Sequence, residues 1–269
     1  MKSRVWNSFK IACSMYSKIP VPPADWTKEN KAYVMCFFPW VGAVIGALTY
    51  AVYSLKEWMH QAGFGFPDFF FTALLVLIPV WVTGGIHLDG YLDTQDALHS
   101  YQSRERKLEI LKDPHTGAFA VIAGICYFVL DLGIYNGLTA ESVRVIAVGF
   151  VLSRALSGLS VVCFPQARKK GMAADFSDGA KKKGSRLVLL LYVILAAGVM
   201  IFAGGVPGVS AVLAAGGVFL YYARMTGRIF GGMTGDLAGY FLQLCEIWMA
   251  AAAVNCRYLM ERSGLVKWN

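Results

Sequence analysis

Residues 69–82, FFFTALLVLIPVWV, are followed almost directly by residues 84–100, GGIHLDGYLDTQDALHS, and this is the sharpest change of polarity in the chain. The first stretch suits the interior of a lipid bilayer. The second opens with two glycines, which favour a break in the helix, and then sets His87 and three aspartates close together. The pattern predicts a membrane helix that ends beside a polar site.

The composition of the whole chain favours an integral membrane protein. Of its 269 residues, 57% are hydrophobic and only 16% are charged, whereas soluble domains have about 25% charged residues. A helix needs roughly 20 largely apolar residues to cross a bilayer. Seven stretches satisfy this requirement: 32–54, 68–86, 117–137, 143–163, 187–206, 209–226 and 237–257. The predicted fold class is therefore all-α, a polytopic bundle with about seven transmembrane helices in one domain over residues 1–269.

Two shorter segments complete the predicted architecture. Residues 4–19 are too few and too basic to span the membrane, so they are predicted to form an amphipathic or re-entrant helix that ends at the sequence PVPP. The sequence VPG at 206–208 separates two apolar stretches and predicts a tight helical hairpin. No uninterrupted apolar core precedes a small-residue cleavage site, which argues against a signal peptide.

Lysine and arginine mark one side of the predicted bundle. With seven spans, the N-terminal segment, the loops after the second and fourth spans and the loop before the seventh all lie on that side and hold most of the basic residues. The positive-inside rule then places this side in the cytoplasm, in a multi-pass protein of a bacterial or archaeal inner membrane. The C-terminal tail, with Arg257, Arg262 and Lys267, departs from the rule.

The acidic cluster after the second span predicts a metal site. Asp89, Asp93 and Asp96 are spaced i, i+4 and i+7, so their carboxylates share one face of a helix and repel one another. Carboxylate oxygens on one face can bind Mg²⁺ that also holds a phosphate. Alternatively, the aspartates are acidic residues at a helix N-terminus, where they complement the helix dipole. This alternative explains Asp96 poorly. His87 lies two residues before Asp89 and is a candidate general base or hydrogen-bond donor to a phosphate.

Further candidates lie at the ends of other predicted spans. Lys112 and Asp113, in ILKDPHTGAF, precede a proline and a glycine at the start of the third span. The sequence GGMTGD at 231–236 is glycine-rich, and glycine permits close approach of the backbone to a phosphate. Glu246 is an ionisable group within a span and a functional candidate on that ground. Asp131 and Arg154 are candidates of the same kind, or a pair that neutralise each other.

Four motifs together resemble the cobalamin synthase family, the adenosylcobinamide-GDP ribazoletransferases or cobalamin 5'-phosphate synthases. They are HLDGYLDTQDAL, ILKDPHTGAF, FPQARKKGM and GGMTGD with a later glutamate, in the family's order and after the N-terminal KIPVP. The resemblance covers nearly the whole chain. The H-L-D-G-x-x-D-x-x-D block is its most specific part.

The resemblance implies a reaction, substrates and roles for the residues. α-Ribazole or its 5'-phosphate would attack adenosylcobinamide-GDP, GMP would leave, and the product would be adenosylcobalamin or its 5'-phosphate. The cofactor would be Mg²⁺, the enzyme would work at the lipid bilayer without nucleic acid, and self-association or association with other B12-assembly enzymes is left open. The implied catalytic residues are His87, Asp89, Asp93, Asp96 and Lys112, with the three aspartates as metal ligands. The implied substrate-binding residues are Asp113, Arg168, Gly232, Thr234, Asp236 and Glu246.

Two other classes of membrane protein compete with this interpretation. A CDP-alcohol phosphatidyltransferase also uses Mg²⁺ and spaced aspartates, but its signature includes A-R after D-G and has a different spacing from DGYLDTQD. A secondary transporter would use the ionisable residues inside the spans with broken helices. The polar motifs of this chain lie instead at the ends of the spans.

Overall fold

All regular secondary-structure elements in the described part of the chain are helices, as the apolar stretches predict. The computed structural model describes residues 2–168 and 182–262. A 3₁₀ turn, Asn30–Tyr33, leads into the second helix, and a π-helical turn, Thr226–Phe230, follows the eighth. The helices are α1 (Lys2–Tyr16), α2 (Val34–Gln61), α3 (Asp68–Thr83), α4 (Ile86–His99), α5 (Arg104–Ile110), α6 (Ala118–Asn136), α7 (Ala140–Cys163), α8 (Lys182–Met225) and α9 (Gly235–Arg262).

Most of these helices can cross a membrane. Within the described ranges, five segments are long and apolar enough: Asn30–Gln61, Ala118–Asn136, Ala140–Cys163, Lys182–Phe230 and Gly235–Cys256. Helices α3 and α4 pass the same test only together, with a bend of 94° between them. The two predicted spans at 187–206 and 209–226 both lie in α8. A polytopic helical membrane protein is thereby confirmed.

Helix α8 is interrupted where the sequence predicts a hairpin. Gly205 has φ 53° and ψ −125°, which is outside the helical region and open to glycine. A Cβ atom at Gly208 would overlap the carbonyl oxygen of Met200, eight residues earlier. Such residues lie about 12 Å apart along a straight helix. The chain therefore reverses at Gly205, and the two halves of α8 pack against each other there.

The glycine pair after α3 turns the chain sharply. Gly84 and Gly85 both have positive φ, 65° and 81°, a conformation that other residues adopt only with strain. Gly84 ends α3 and Gly85 precedes α4, so the aspartate motif begins a new helix across the direction of α3. The predicted break at this pair of glycines is confirmed.

The basic segments meet at one end of the bundle. Lys18 N–H donates to Val82 O, so the N-terminal segment lies beside the end of α3. Arg168, after α7, donates to Leu108 O of α5. Gln166 and Met233 form an isolated β-bridge between the loop after α7 and the glycine-rich loop. Lysines 169, 170 and 181 and the tail from 263 onward lie outside the described residues.

Helix α1 packs along α2. Ile11 and Ala12 are fully buried, whereas Val5 and Trp6 are exposed. The middle of the helix therefore belongs to the protein core and its first turn is exposed, while an amphipathic or re-entrant role for this segment stays a prediction.

Candidate functional site

The site is built where α4 crosses α9. A Cβ at Gly90 would lie 2.7 Å from the backbone oxygen of Asp236, and a Cβ at Gly239 would lie 2.9 Å from that of His87. Such distances leave no room for a side chain, so the two glycines let the backbones touch. The aspartate motif and the GGMTGD loop, far apart in sequence, are thereby brought together.

A cavity of about 250 Å³ opens beside this crossing. Five helices, α1, α2, α4, α7 and α9, contribute to its wall. Asp89 is exposed and Asp236 half-buried, whereas His87 and Ser157 are buried, so the carboxylates lie toward the solvent end and the other two groups lie inside. The lining residues are Met15, Tyr16, Met35, Phe38, Ile86, His87, Asp89, Ser157, Val161, Gly235, Asp236, Ala238, Gly239 and Leu242.

Negative charge accumulates at the solvent end of the cavity. Burial, with the nearby carboxylates of Asp89, Asp236 and Asp96, raises the pKa of Asp93 to about 7. Three residues along a helix span about 5 Å, and Gly90, three residues before Asp93, touches Asp236. The carboxylates of Asp93 and Asp236 therefore face one region, and a cation there would relieve their repulsion.

Asp96 has a structural partner that the sequence did not reveal. Its two carboxylate oxygens accept hydrogen bonds from Gly117 N–H at 2.6 Å and Ala120 N–H at 2.9 Å. These are unpaired donors at the N-terminus of α6, and a carboxylate is favoured there. Asp96 is thus an acid at a helix N-terminus, but the helix is α6 and not its own helix α4.

The predicted centre of Asp89, Asp93 and Asp96 is not preformed. No group of three or more histidine, cysteine, aspartate or glutamate side chains in the described part of the chain could hold a metal ion. Both oxygens of Asp96 are committed to α6. Asp89 and Asp93, with Asp236 opposite, remain the carboxylates that could bind a metal ion. Their role as metal ligands stays a prediction.

His87 is buried at the inner part of the site. Its ring lies against Phe38, with centroids 5.5 Å apart, and against Tyr16 at 6.1 Å. Burial, reinforced by the positive charge of Arg154, holds its pKa well below the usual value for histidine. A neutral imidazole has one N–H donor and one acceptor nitrogen. Its Nε2 has no hydrogen-bond partner among the described residues.

The glycine-rich loop supports the site but does not line the cavity at Gly232. Gly232 has φ +153°, and a Cβ there would lie 2.5 Å from Ala167 N and 2.7 Å from Pro165 O. The prediction that Gly232 leaves room for a substrate is wrong, because the chain after α7 fills that space. Thr234 accepts a hydrogen bond from Leu237 N–H and caps α9. Its hydroxyl lies 3.4 Å from the Asp236 carboxylate.

Gly232→Val is expected to destabilise the protein rather than to weaken substrate binding selectively. The added side chain would collide with residues 165–167 and break the bridge to Met233. The measurement is the folded fraction after extraction in detergent, followed by gel filtration, with Gly227→Val as a control because a Cβ at Gly227 meets no atom within 4 Å. A well-folded Gly232→Val protein with weaker substrate binding would restore the original interpretation.

The cationic candidates differ in position. Arg168 lies near Asp236; burial lowers the pKa of this arginine and the Asp236 charge opposes that effect. Lys112 and Asp113 are exposed in the loop between α5 and α6, outside the wall of the cavity. Asp113 bonds to the ring and the N–H of His115, which hold the pKa of its carboxyl below the usual range. Arg104 lies against Gly231 and adds a further cation at this end.

Glu246 is not among the residues that line the cavity, and it pairs with Arg154. The Arg154 Nη1–Glu246 Oε1 distance is 2.6 Å, and Ser153 Oγ donates to the same oxygen at 2.8 Å. Both charged side chains are buried, with exposed fractions of 0% and 7%. The suggested pairing of Arg154 with Asp131 is therefore wrong. Glu246 supports the packing of α7 against α9, and its role in substrate binding finds no support in this position.

Several wall residues were not identified from the sequence. Tyr16, Phe38 and Ser157 lie in apolar stretches with no motif around them, and they meet only because α1, α2 and α7 converge on α4 and α9. The nearest signal in the sequence is Ser157 itself, one of several small polar residues on α7.

Comparison with known proteins gives one consistent result. The family model for cobalamin-5-phosphate synthase matches residues 8–254. A protein of Lachnoclostridium phytofermentans named adenosylcobinamide-GDP ribazoletransferase is 45% identical, over 92% of this chain and 93% of its own length. Proteins with the same name from Clostridium perfringens and Desulfitobacterium hafniense are 30% and 31% identical, over 90% and 92% of this chain and 94% and 96% of their own. No solved structure matches the chain.

Proposed function

This chain belongs to the cobalamin-5-phosphate synthase family, and on that premise we propose that it is an adenosylcobinamide-GDP ribazoletransferase. The full-length similarity to proteins of that name carries the proposal. The structure supports it because the acidic motif and the glycine-rich loop meet at one cavity.

The reaction exchanges one phosphate linkage for another. A hydroxyl of α-ribazole, or of its 5'-phosphate, attacks the phosphorus linked to the corrinoid and forms a new O–P bond. The bond from that phosphorus to the oxygen bridging to GMP breaks, and GMP leaves with the electron pair. The attacking hydroxyl gives its proton to a base. Phosphoryl transfer of this kind depends mainly on positioning and on neutralising charge.

The residues around the cavity divide these tasks. We assign proton acceptance to His87, whose neutral ring lies in the cavity wall with an unpartnered nitrogen. Arg168 binds a phosphate oxygen near Asp236. Lys112, in the exposed loop before α6, is further from the cavity. It is a cationic side chain that binds a substrate phosphate only outside the cavity. Thr234 and Asp236 orient the start of α9 toward the ligand.

The donor set fits Mg²⁺ bound together with substrate. Mg²⁺ is usually held by one or two carboxylates, by water and by substrate phosphates rather than by a complete protein cage. Asp89 and Asp93 provide such a pair, and Asp236 lies opposite. When bound, Mg²⁺ neutralises charge on the phosphates. Asp96 contributes indirectly, since it fixes α6 beside α4.

The distribution of charge supports a cytoplasmic position for the cavity. The basic segments lie together at the end of the bundle that carries the cavity, and the positive-inside rule places that end in the cytoplasm. Both substrates would then enter from the cytoplasm.

The direct test is release of GMP by purified protein in detergent. Incubation with adenosylcobinamide-GDP and α-ribazole is expected to yield GMP and adenosylcobalamin in equal amounts, and omission of Mg²⁺ is expected to stop the reaction. Absence of GMP with Mg²⁺ present would refute the assigned activity. Undiminished release in the presence of a chelator would refute the metal.

Mg²⁺ binding should depend on pH through Asp93. Its pKa of about 7 without a cation means that it is mostly protonated at pH 6 and mostly ionised at pH 8. Because Mg²⁺ needs the ionised form, the half-saturating Mg²⁺ concentration should fall about tenfold between these pH values. The measurement is a Mg²⁺ titration of GMP release at each pH. An equal or higher requirement at pH 8 would contradict the prediction.

A further inference from the structure

The inner end of the cavity carries two polar atoms without partners. His87 Nε2 and Ser157 Oγ are both buried and make no hydrogen bond within the described residues. The two side chains have exposed fractions of 4% and 1% and lie in the cavity wall. A buried polar group without a partner destabilises the folded protein. Two such groups on one cavity wall point to a ligand that completes them.

The size of the cavity limits what that ligand is. Sites for whole small molecules usually measure roughly 300–1,000 Å³, whereas this cavity measures about 250 Å³. It is too small for a corrinoid and suits one compact ring system. Tyr16 and Phe38 lie with ring centroids 4.3 Å apart beside His87. Aromatic side chains of this kind pack well against a planar ring.

The polarity of the wall selects between the two bases in the reaction. Guanine carries two kinds of N–H donor and a carbonyl acceptor, all of which need partners when buried. The base of ribazole is a benzimidazole: one ring nitrogen forms the glycosidic bond, the other is a single acceptor, and the fused carbocycle is apolar. The inner wall offers the Ser157 and His87 groups amid Met15, Met35, Val161 and Leu242. This inventory fits the benzimidazole.

We propose that the cavity holds the benzimidazole base of α-ribazole, with its free ring nitrogen accepting a hydrogen bond from the Ser157 hydroxyl. This assignment rests on the proposed ribazoletransferase activity. The ribose then extends past His87 toward Asp89 and Asp236, which places a ribose hydroxyl beside the residues assigned to the phosphates. Ser157 thereby becomes a residue that determines the choice of base.

Two substitutions at Ser157 test this assignment through separate Michaelis constants. Ser157→Leu fills the inner cavity, so the KM for α-ribazole should rise at least about tenfold, while the KM for adenosylcobinamide-GDP should stay within about twofold. Ser157→Ala removes only the hydroxyl, and the KM for α-ribazole should rise about three- to tenfold. Ser160→Ala is the matched control, because Ser160 lies one turn further along α7 and bonds to Ser157 O outside the cavity wall.

Direct binding separates this proposal from the activity. Equilibrium dialysis of α-ribazole with the purified protein in detergent should show binding to the wild type, weaker binding to Ser157→Ala and at least about tenfold weaker binding to Ser157→Leu, with no turnover needed. Unchanged ribazole binding in Ser157→Ala, or no ribazole binding to the wild type, would overturn the assignment. So would a selective rise in the KM for adenosylcobinamide-GDP, which would place guanine in the cavity. If Ser157→Leu does not fold, the result for Ser157→Ala decides the assignment. If the wild type releases no GMP, the proposed activity is refuted, and the dialysis still tests whether the cavity binds α-ribazole.

Discussion

Asp93→Asn is expected to lower the rate of GMP release at least about a hundredfold while the protein remains folded. Burial and three neighbouring carboxylates raise the pKa of Asp93, and neutralising this residue removes charge that a bound cation needs. Loss of one group that stabilises transition-state charge typically costs about a hundred- to a thousandfold in turnover. Asparagine has nearly the same shape, so the packing of α4 against α9 should persist.

The measurement is turnover at saturating substrate and Mg²⁺, with gel filtration as the check on folding. Asp68→Asn is the matched control, since Asp68 undergoes the same chemical change at the opposite end of the bundle, where it makes an exposed contact of 3.0 Å with Lys56. Such surface pairs contribute little. Near-normal turnover of Asp93→Asn would remove the acidic motif from the proposed mechanism.

Arg154→Met is expected to cost the folded protein about 3–5 kcal/mol. The substitution leaves Glu246 charged, buried and without its cation, and breaking a buried pair from one side carries a penalty of that size. Glu246→Gln should also destabilise the protein, because Arg154 then keeps a buried charge without its counter-ion. The double variant should recover much of the loss, since neither charge remains.

The stability of these variants can be followed by thermal unfolding in detergent. Arg144→Met is the matched control, because Arg144 lies on the same helix but is exposed, and its side chain donates a hydrogen bond to Ala140 O of its own turn. If both single variants unfold at the wild-type temperature, the ion pair does not hold α7 to α9. If the double variant is as unstable as the sum of the single ones, the two residues act independently.

Periodicity predicts a helix and its faces but not which neighbour each face meets. The spacing of Asp89, Asp93 and Asp96 correctly indicated one helix, and GG correctly indicated its start. The same spacing could not show that Asp96 accepts hydrogen bonds from the N-terminus of α6. The partner is more than twenty residues away in sequence, and its donors are backbone groups that any residue would supply.

The glycines in the sequence correctly predicted where the chain turns, but they did not predict which glycines lie against a ligand. Gly84, Gly85 and Gly205 lie where the chain turns, which a glycine pattern can predict from conformational freedom alone. Gly90, Gly232 and Gly239 lie where backbones touch. A glycine in a sequence gives no indication of whether substrate or protein fills the space beside it, so the role predicted for Gly232 was wrong.

The sequence by itself determined the membrane class, the helical fold, the break before α4 and the family, because hydrophobic length, glycine conformations and ordered motifs are local properties of the chain. Only the tertiary structure decided that Arg154 pairs with Glu246, that Asp96 caps α6 and that Tyr16, Phe38 and Ser157 enclose a cavity with His87. These contacts join helices that are distant in sequence. They depend on which faces the packed bundle brings together, and a helical period fixes a face without fixing its partner.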